Sequence, residues 1–332
     1  MTYNPLSDRR TLLGSGLGMA GLAMGAGAAM APPAEAAVKK IEGASLKGPY
    51  LDLTTPHGAM MTIARLNGNL DGSTRIGWYD GFVMAVAPGG PIRNLFGFKG
   101  MSCAKLLPLP DGAPGYRKVL REVGYYYDLA TGQIMEEWQN PVTNEKVKVV
   151  HITNDPFNQE IRETVPPGPT FGGLNTVKRE PRPFLIDFRV QGDRLIFQRH
   201  IHLYYPNALD PKVWVRESNG PMVQASEFYF HNVSLDDIQN KELTSVRNWG
   251  TWSRVTPWLP WMLMGPAEGQ LLYMTFMGSF PKLEDVPEDI LKYTEKNHPK
   301  FLEAPAQWEE PSLSSLENYV RTQKPAPAKG GV

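Results

Sequence analysis

Two histidines, His200 and His202, stand one residue apart in 198-QRHIHLYYP-206. In an extended strand, residues i and i+2 share a face, so both imidazoles look into the same space. Such a pair can hold a metal, act as acid and base near neutral pH, or simply meet solvent. Alternation divides the run into a mostly apolar face (Leu195, Phe197, Arg199, Ile201, Leu203) and a polar one (Ile196, Gln198, His200, His202, Tyr204). The polar face is the expected ligand wall, with His200 or His202 as base and Tyr204 as a ligand contact.

Other residues could complete the chemistry. His151 follows Val147 and Val149 on one strand face, and His231 shares a face with Glu227 and Tyr229, so either can serve as acid or orienting group. Arg254 sits in 252-WSRVTPWLPW-261, among Trp252, Trp258 and Trp261. An arginine among indoles is more often a cation–π structural clamp, and can otherwise hold a substrate carboxylate or phenolate bidentately; an enzyme built on these residues would use it as the anion stabiliser. Tyr126 and Trp138 join Tyr204, Trp252, Trp258 and Trp261 as expected ligand-contacting rings. His57, in 54-TTPHGAM-60, reads as a surface loop residue, and Cys103, the single cysteine, as a buried structural thiol.

A metal is the competing chemistry at His200 and His202. Cupin-type sites place a glutamate four or five residues after the second histidine, and here those positions hold Pro206 and Asn207. There is no H-E-x-x-H, no cysteine pair and no G-x-S-x-G elbow. A metal site would need His151 or His231 to close around the pair. The expected cofactor is therefore none.

These side chains need strands to hold them. Aromatic and β-branched runs at 82–86, 92–98, 184–190, 195–205, 213–218, 225–233, 250–256 and 270–278 predict strands, and 123–156 reads as a three-stranded meander with turns at 130-ATGQ-133 and 140-NPVTNE-145. Many short strands at regular spacing predict a sandwich or a closed antiparallel barrel, with the barrel preferred. The segment 286-VPEDILKYTEKN-297 predicts a short C-terminal helix with Asp285 as N-cap. The Pro/Gly-rich 164-TVPPGPTFGG-173 separates strands of one character, so 37–320 is expected to be a single domain and 321–332 a disordered tail.

The N-terminus carries an address. Arg9-Arg10 precede an uncharged, Gly/Ala-rich run and then 34-AEA-36, which together predict a twin-arginine export signal over 1–36. The twin-arginine machinery is thus an expected partner, and the periplasm or the outside of the cell the expected location. Lys+Arg and Asp+Glu are equal at 34 each, which argues against nucleic acid, where phosphate neutralisation dominates affinity. No later segment is long and apolar enough for stable membrane insertion as a helix.

Three passages, 124-GYYYDLATGQIMEEWQNPVTNE-145, 147-VKVVHITNDP-156 and 249-WGTWSRVTPWLPWMLMGPAEGQLLY-273, resemble the family catalogued as domain of unknown function 1838. The resemblance implies a shared, lipocalin-like or calycin-like fold and supplies no catalytic residues. Residue chemistry therefore carries the functional expectation: an exported, cofactor-independent isomerase or lyase that moves protons on a small hydrophobic, aromatic or terpenoid molecule. A non-catalytic lipocalin-like carrier and a His-ligated metalloenzyme are the alternatives.

Overall fold

The computed structural model describes residues 46–155, 157–166, 180–308 and 313–327. Residues 1–36, read as an export signal, lie outside them, as do 167–173 of the Pro/Gly-rich stretch and 328–332 of the tail. The elements run α1 (Pro56–Asn67), β1 (Arg75–Val86), β2 (Arg93–Pro108), β3 (Gly115–Tyr127), β4 (Glu137–Gln139), β5 (Lys146–Lys148), β6 (Ile152–Asn154), β7 (Gln159–Arg162), β8 (Thr164–Val165), β9 (Arg182–Pro183), β10 (Arg189–Gln191), β11 (Arg194–Pro206), β12 (Met222–Ser234), α2 (Leu235–Gln239), β13 (Trp249–Thr256), β14 (Gln270–Phe280), α3 (Glu288–Asn297) and α4 (Ser315–Thr322).

The chain is mostly β. One 10-stranded antiparallel sheet runs in the order β10-β11-β12-β13-β14-β1-β2-β3-β6, with β7 also on β3. The central pair joins distant parts of the chain, from Ile76 opposite Phe280 to Val86 opposite Gln270. Right-handed twist accumulated over so many strands coils the sheet, so that β11 and β3, far apart in its order, face the same interior. Among the described residues no pairing joins β10 to β6 or β7, and the expected closed barrel is not found.

Period-two alternation sorts each long strand. The concave side receives Arg199, Ile201 and Leu203 from β11, Glu227 and Tyr229 from β12, Trp252 and Arg254 from β13, and Lys118, Glu122 and Tyr126 from β3. On the convex side of β2 and β3, Met101, Cys103, Val123 and Tyr125 pack under Ile290 of α3 and Phe301. Cys103 is fully buried there, and burial pushes its thiol up to about 11.

One end of the coil is filled by α1, a helix where the sequence around His57 predicts a surface loop. Thr55 caps it, its hydroxyl accepting from the Gly58 N–H at 3.1 Å, with Pro56 in the first turn. Met60, Ile63 and Ala64 then pack on Phe188, Leu195, Phe197 and Val233. Arg65 is completely buried: Nη1 donates to Ile238 O at 2.7 Å, Nη2 to Asp237 O and Asn240 O at 2.9 and 2.7 Å, and Nε to Leu243 O at 3.1 Å. These carbonyls end α2 and have few other donors. Arg65→Met therefore strands them in a dry site, at an expected cost of about 3–5 kcal/mol. Urea unfolding checks this; a loss below about 1 kcal/mol would mean that the loop finds other donors.

Four further expectations are corrected. Residues 211–217 form successive turns instead of a strand, with Trp214 N–H on Asp210 O at 2.8 Å and Ser218 N–H on Trp214 O at 2.9 Å; Asp210-Pro211 starts the turn and Trp214 alone goes into the core. Within 184–190 only the last two residues are in a strand, β10. The tail is tied down as far as Ala326, whose N–H donates to Glu217 Oε1 at 2.6 Å. The predicted helix forms as α3, with Pro287 rather than Asp285 at its N-cap.

Candidate functional site

The concave side of the sheet holds two adjoining chambers, of about 190 Å³ and 200 Å³. Glu122, Phe157 and Trp252 line both and form the waist between them. The upper chamber is closed by Trp258, Trp261 and, from α4, Leu316 and Tyr319. The lower one reaches Leu66 and Asn67 at the end of α1.

Glu122 is held at one oxygen. Tyr79 Oη lies 2.9 Å from Oε1 and 3.0 Å from Val123 O, so its single proton serves one or the other. Tyr79 reaches this place because Gly100 and Gly124 are cross-strand partners: a Cβ on either would come within 2.6 Å of the phenol oxygen. Among the described residues the second carboxyl oxygen has no hydrogen-bond partner, and Glu122 lines both chambers at the waist. Burial raises the Glu122 pKa to about 7, helped by the charge of Glu227 and opposed by Tyr79, Lys118 and Arg254. Glu122 thus exchanges its proton at neutral pH.

Across the waist stands a second acidic side chain. Glu227 and Arg254 are direct cross-strand partners, with Nε to Oε1 at 3.7 Å. Tyr229 Oη donates to Glu227 Oε2 at 2.6 Å, and the Trp252 Nε1–H donates to the same oxygen at 3.3 Å. The carboxylate is 5% exposed and the guanidinium 25%. Burial disfavours the charge on Arg254, but the charge of Glu227, with further contributions from the phenol groups of Tyr273, Tyr205 and Tyr126, outweighs it and raises its pKa. Its partner is an acid, not the indoles of a cation–π clamp.

The expected histidine pair is not in this space. His200 and His202 are exposed on the convex face of β11, flanking Phe228, with His202 Nδ1 3.0 Å from Ser226 Oγ. Tyr204, 41% exposed, lies on the same face. The physical reason is the burial of Leu195 and Phe197, which turns the other parity inward and carries Arg199 with it. His151 and His231 do border the chambers, upper and lower respectively. They are thus separated by the sheet from His200 and His202, and among the described residues no three of His, Cys, Asp and Glu gather to hold a metal ion.

His151 Nδ1 accepts from the Tyr126 N–H at 3.2 Å, and the His231 ring stacks on Phe197 at 4.6 Å. Burial lowers both imidazoles to about 4, so they are neutral at pH 7 and poor bases. A lowered imidazole pKa gives stability that is full above the unfolded value of 6.5 and lost as pH falls towards 4. His231→Phe, which keeps the stack, is expected to recover about 2 kcal/mol at pH 5 and little at pH 8. Melting at the two pH values checks it; equal shifts would assign the effect to packing.

Of the other expected ligand rings, Tyr126, Trp252, Trp258 and Trp261 line the upper chamber, and Tyr126 Oη meets Tyr273 Oη at 3.2 Å. Trp138 stands behind that wall, packed edge-on to Phe96 at 5.3 Å and Trp261 at 5.8 Å. His57 is exposed, as expected, but in the first turn of α1, 2.8 Å from Glu163 Oε1. The sequence reading missed Glu122, Tyr79, Lys118 and Arg199 as site residues. The available signal was a charge on an otherwise apolar strand face.

A family model described as "Protein of unknown function (DUF1838)" matches residues 72–323, a span that includes every strand named above. No curated protein matches the sequence.

Proposed function

The chain belongs to the DUF1838 family, and on that premise we propose that it is an enzyme of proton transfer, isomerase or lyase in type, needing no cofactor. Its substrate is a small, largely apolar molecule, aromatic or terpenoid in character, taken up inside the coiled sheet. The sheet is read as calycin-like, a barrel left open between β10 and the β6 and β7 edge. One observation carries the proposal: Glu122, poised near pH 7 with one oxygen fixed by Tyr79, faces an arginine already neutralised by Glu227 across an aromatic waist.

The chemistry follows from those positions. The free oxygen of Glu122 takes a proton from a carbon next to a carbonyl, and the C–H electron pair moves to the carbonyl oxygen. Arg254 donates to that oxyanion. Glu122 then returns the proton to another carbon, or the enolate expels a leaving group. The aromatic walls exclude water and strengthen both interactions.

The test is incubation of the protein with aryl ketones and terpenoid enones in D2O, followed by mass spectrometry. One deuterium gained per turnover at the carbon that receives the proton, or loss of a leaving group, is the expected result. Binding across the panel without exchange would replace the enzyme with a carrier.

The proposal includes twin-arginine export to the periplasm or beyond, supported by Arg9-Arg10 and 34-AEA-36. Replacing both arginines by lysine is expected to leave uncleaved precursor in the cytoplasm. Fractionation reads this, and unchanged export of the double variant would point to another route.

A further inference from the structure

The lower chamber holds more positive charge than the protein answers. Arg75, Lys118 and Arg199 all line it, and Glu122 at the waist is the only carboxylate among its described lining residues. Arg75 Nη2 donates to Val246 O at 2.7 Å and Ser279 Oγ at 2.8 Å, and Lys118 Nζ to Asn67 Oδ1 at 3.0 Å. These are neutral acceptors, and among the described residues neither cation has an ion pair. Arg199, half-buried at the middle of β11, has neither an ion pair nor a hydrogen bond among the described residues; Tyr229 is the neighbour that favours its charge. The three cations act on one another: burial lowers Lys118 to about 8, opposed by Glu122 and helped by Arg199 and Arg75.

Removing a guanidinium from water without a counter-charge costs several kcal/mol. The hydroxyls of Ser102 and Ser279 in the same lining suit an oxyanion as well. We infer that the lower chamber is an oxyanion subsite, with Arg199 its principal ligand and Lys118 and Arg75 supporting it. The ligand is an amphiphile: its carboxylate, sulfate or phosphate lies against Arg199 and its apolar body passes Trp252 into the upper chamber. This deepens the proton-transfer reading, because it places the middle of the molecule at Glu122, but its test does not depend on turnover.

Calorimetric titration of the whole protein with naphthalene-2-carboxylate and its neutral counterpart 2-naphthamide, at pH 7, provides that test. The carboxylate is expected to bind at least about tenfold more tightly. Arg199→Met should weaken the carboxylate by about 10- to 100-fold and leave the amide within about twofold. Arg199→Lys should fall between, since it keeps the charge and loses the fork. Inorganic sulfate is the second probe, expected to raise the melting temperature of the parent protein and not of Arg199→Met. Equal affinities for the two naphthyl compounds, an unchanged carboxylate affinity in Arg199→Met, or no response to any of the three probes would each overturn the subsite. The Glu122→Gln variant separates this inference from the catalytic one: it keeps the carboxylate preference whether or not proton transfer is the reaction.

Discussion

Glu122→Gln is expected to lower turnover by about 10²- to 10⁴-fold, the usual contribution of a positioned acid or base, while making the protein more stable at pH 8. The two effects have one cause. Between about 4.5 and about 7 the folded protein keeps a proton on Glu122 that the unfolded chain has released. Stability therefore falls as pH rises through that window, and above it the full penalty of a charged carboxylate in the cavity remains. A displacement of this size corresponds to roughly 3 kcal/mol, less the bond from Tyr79 that the glutamine weakens. His151 and His231 act in the opposite sense, since their lowered values remove stability as pH falls from 6.5 towards 4. The parent curve should climb gently from acid and sag near neutrality, and the variant should climb more steeply and then stay level. In turnover, the parent should show a limb at about pH 7 that the variant lacks, along with nearly all its rate. Denaturant titrations from pH 4 to 9 and the pH profile of exchange in D2O measure both. A variant that keeps its rate would remove Glu122 from the chemistry, and identical stability curves would mean that Glu122 is ionised throughout.

Strand periodicity carried the long elements, and it carried them because each has a buried face. The runs around 195–205, 225–233, 250–256 and 270–278 lie within β11 to β14, some lengthened by a few residues at either end. Two helices were legible and not read. Thr55-Pro56 is an N-cap followed by proline, and Ser314 with Glu317 makes a capping box. Which face of β11 turned inward was the decisive question for the site, and polarity pointed the wrong way. A polar face suggests chemistry only when something apolar covers it; the face with Leu195, Phe197 and a single arginine was the buried one. One charge kept among apolar neighbours must be either paired or used, and this holds for Arg199 on β11, Glu227 on β12 and Glu122 on β3. The pairing of Glu227 with Arg254 was beyond the sequence because it depends on the register of β12 against β13. The meeting of β3 with β11 depends on the coiling of the whole sheet, which no local pattern specifies.

Breaking the Glu227–Arg254 pair should be the most damaging change in the cavity. The two charges form a cross-strand unit whose carboxylate is 5% exposed and also receives Tyr229 and Trp252. Arg254→Met leaves that carboxylate buried beside Tyr229 and Trp252 with no cation of its own strand pair. The expected cost is about 3–5 kcal/mol. Glu227→Gln leaves the guanidinium without that counter-charge, but the guanidinium is 25% exposed against 5% for the carboxylate, so its cost should lie at the lower end of that range. The double variant should be less destabilised than the sum of the two by about 1–3 kcal/mol, because the desolvation of both charges disappears with their attraction. Catalysis should separate from stability: Arg254→Met loses the oxyanion donor and about 10²- to 10³-fold in turnover, and the double variant recovers stability without recovering rate. Urea unfolding of the four proteins gives the coupling, and exchange in D2O gives the rates. Additive stabilities would dissolve the pair into two independent residues. A double variant that regained turnover would show that Arg254 acts only by neutralising Glu227, and would move the oxyanion contact elsewhere in the upper chamber.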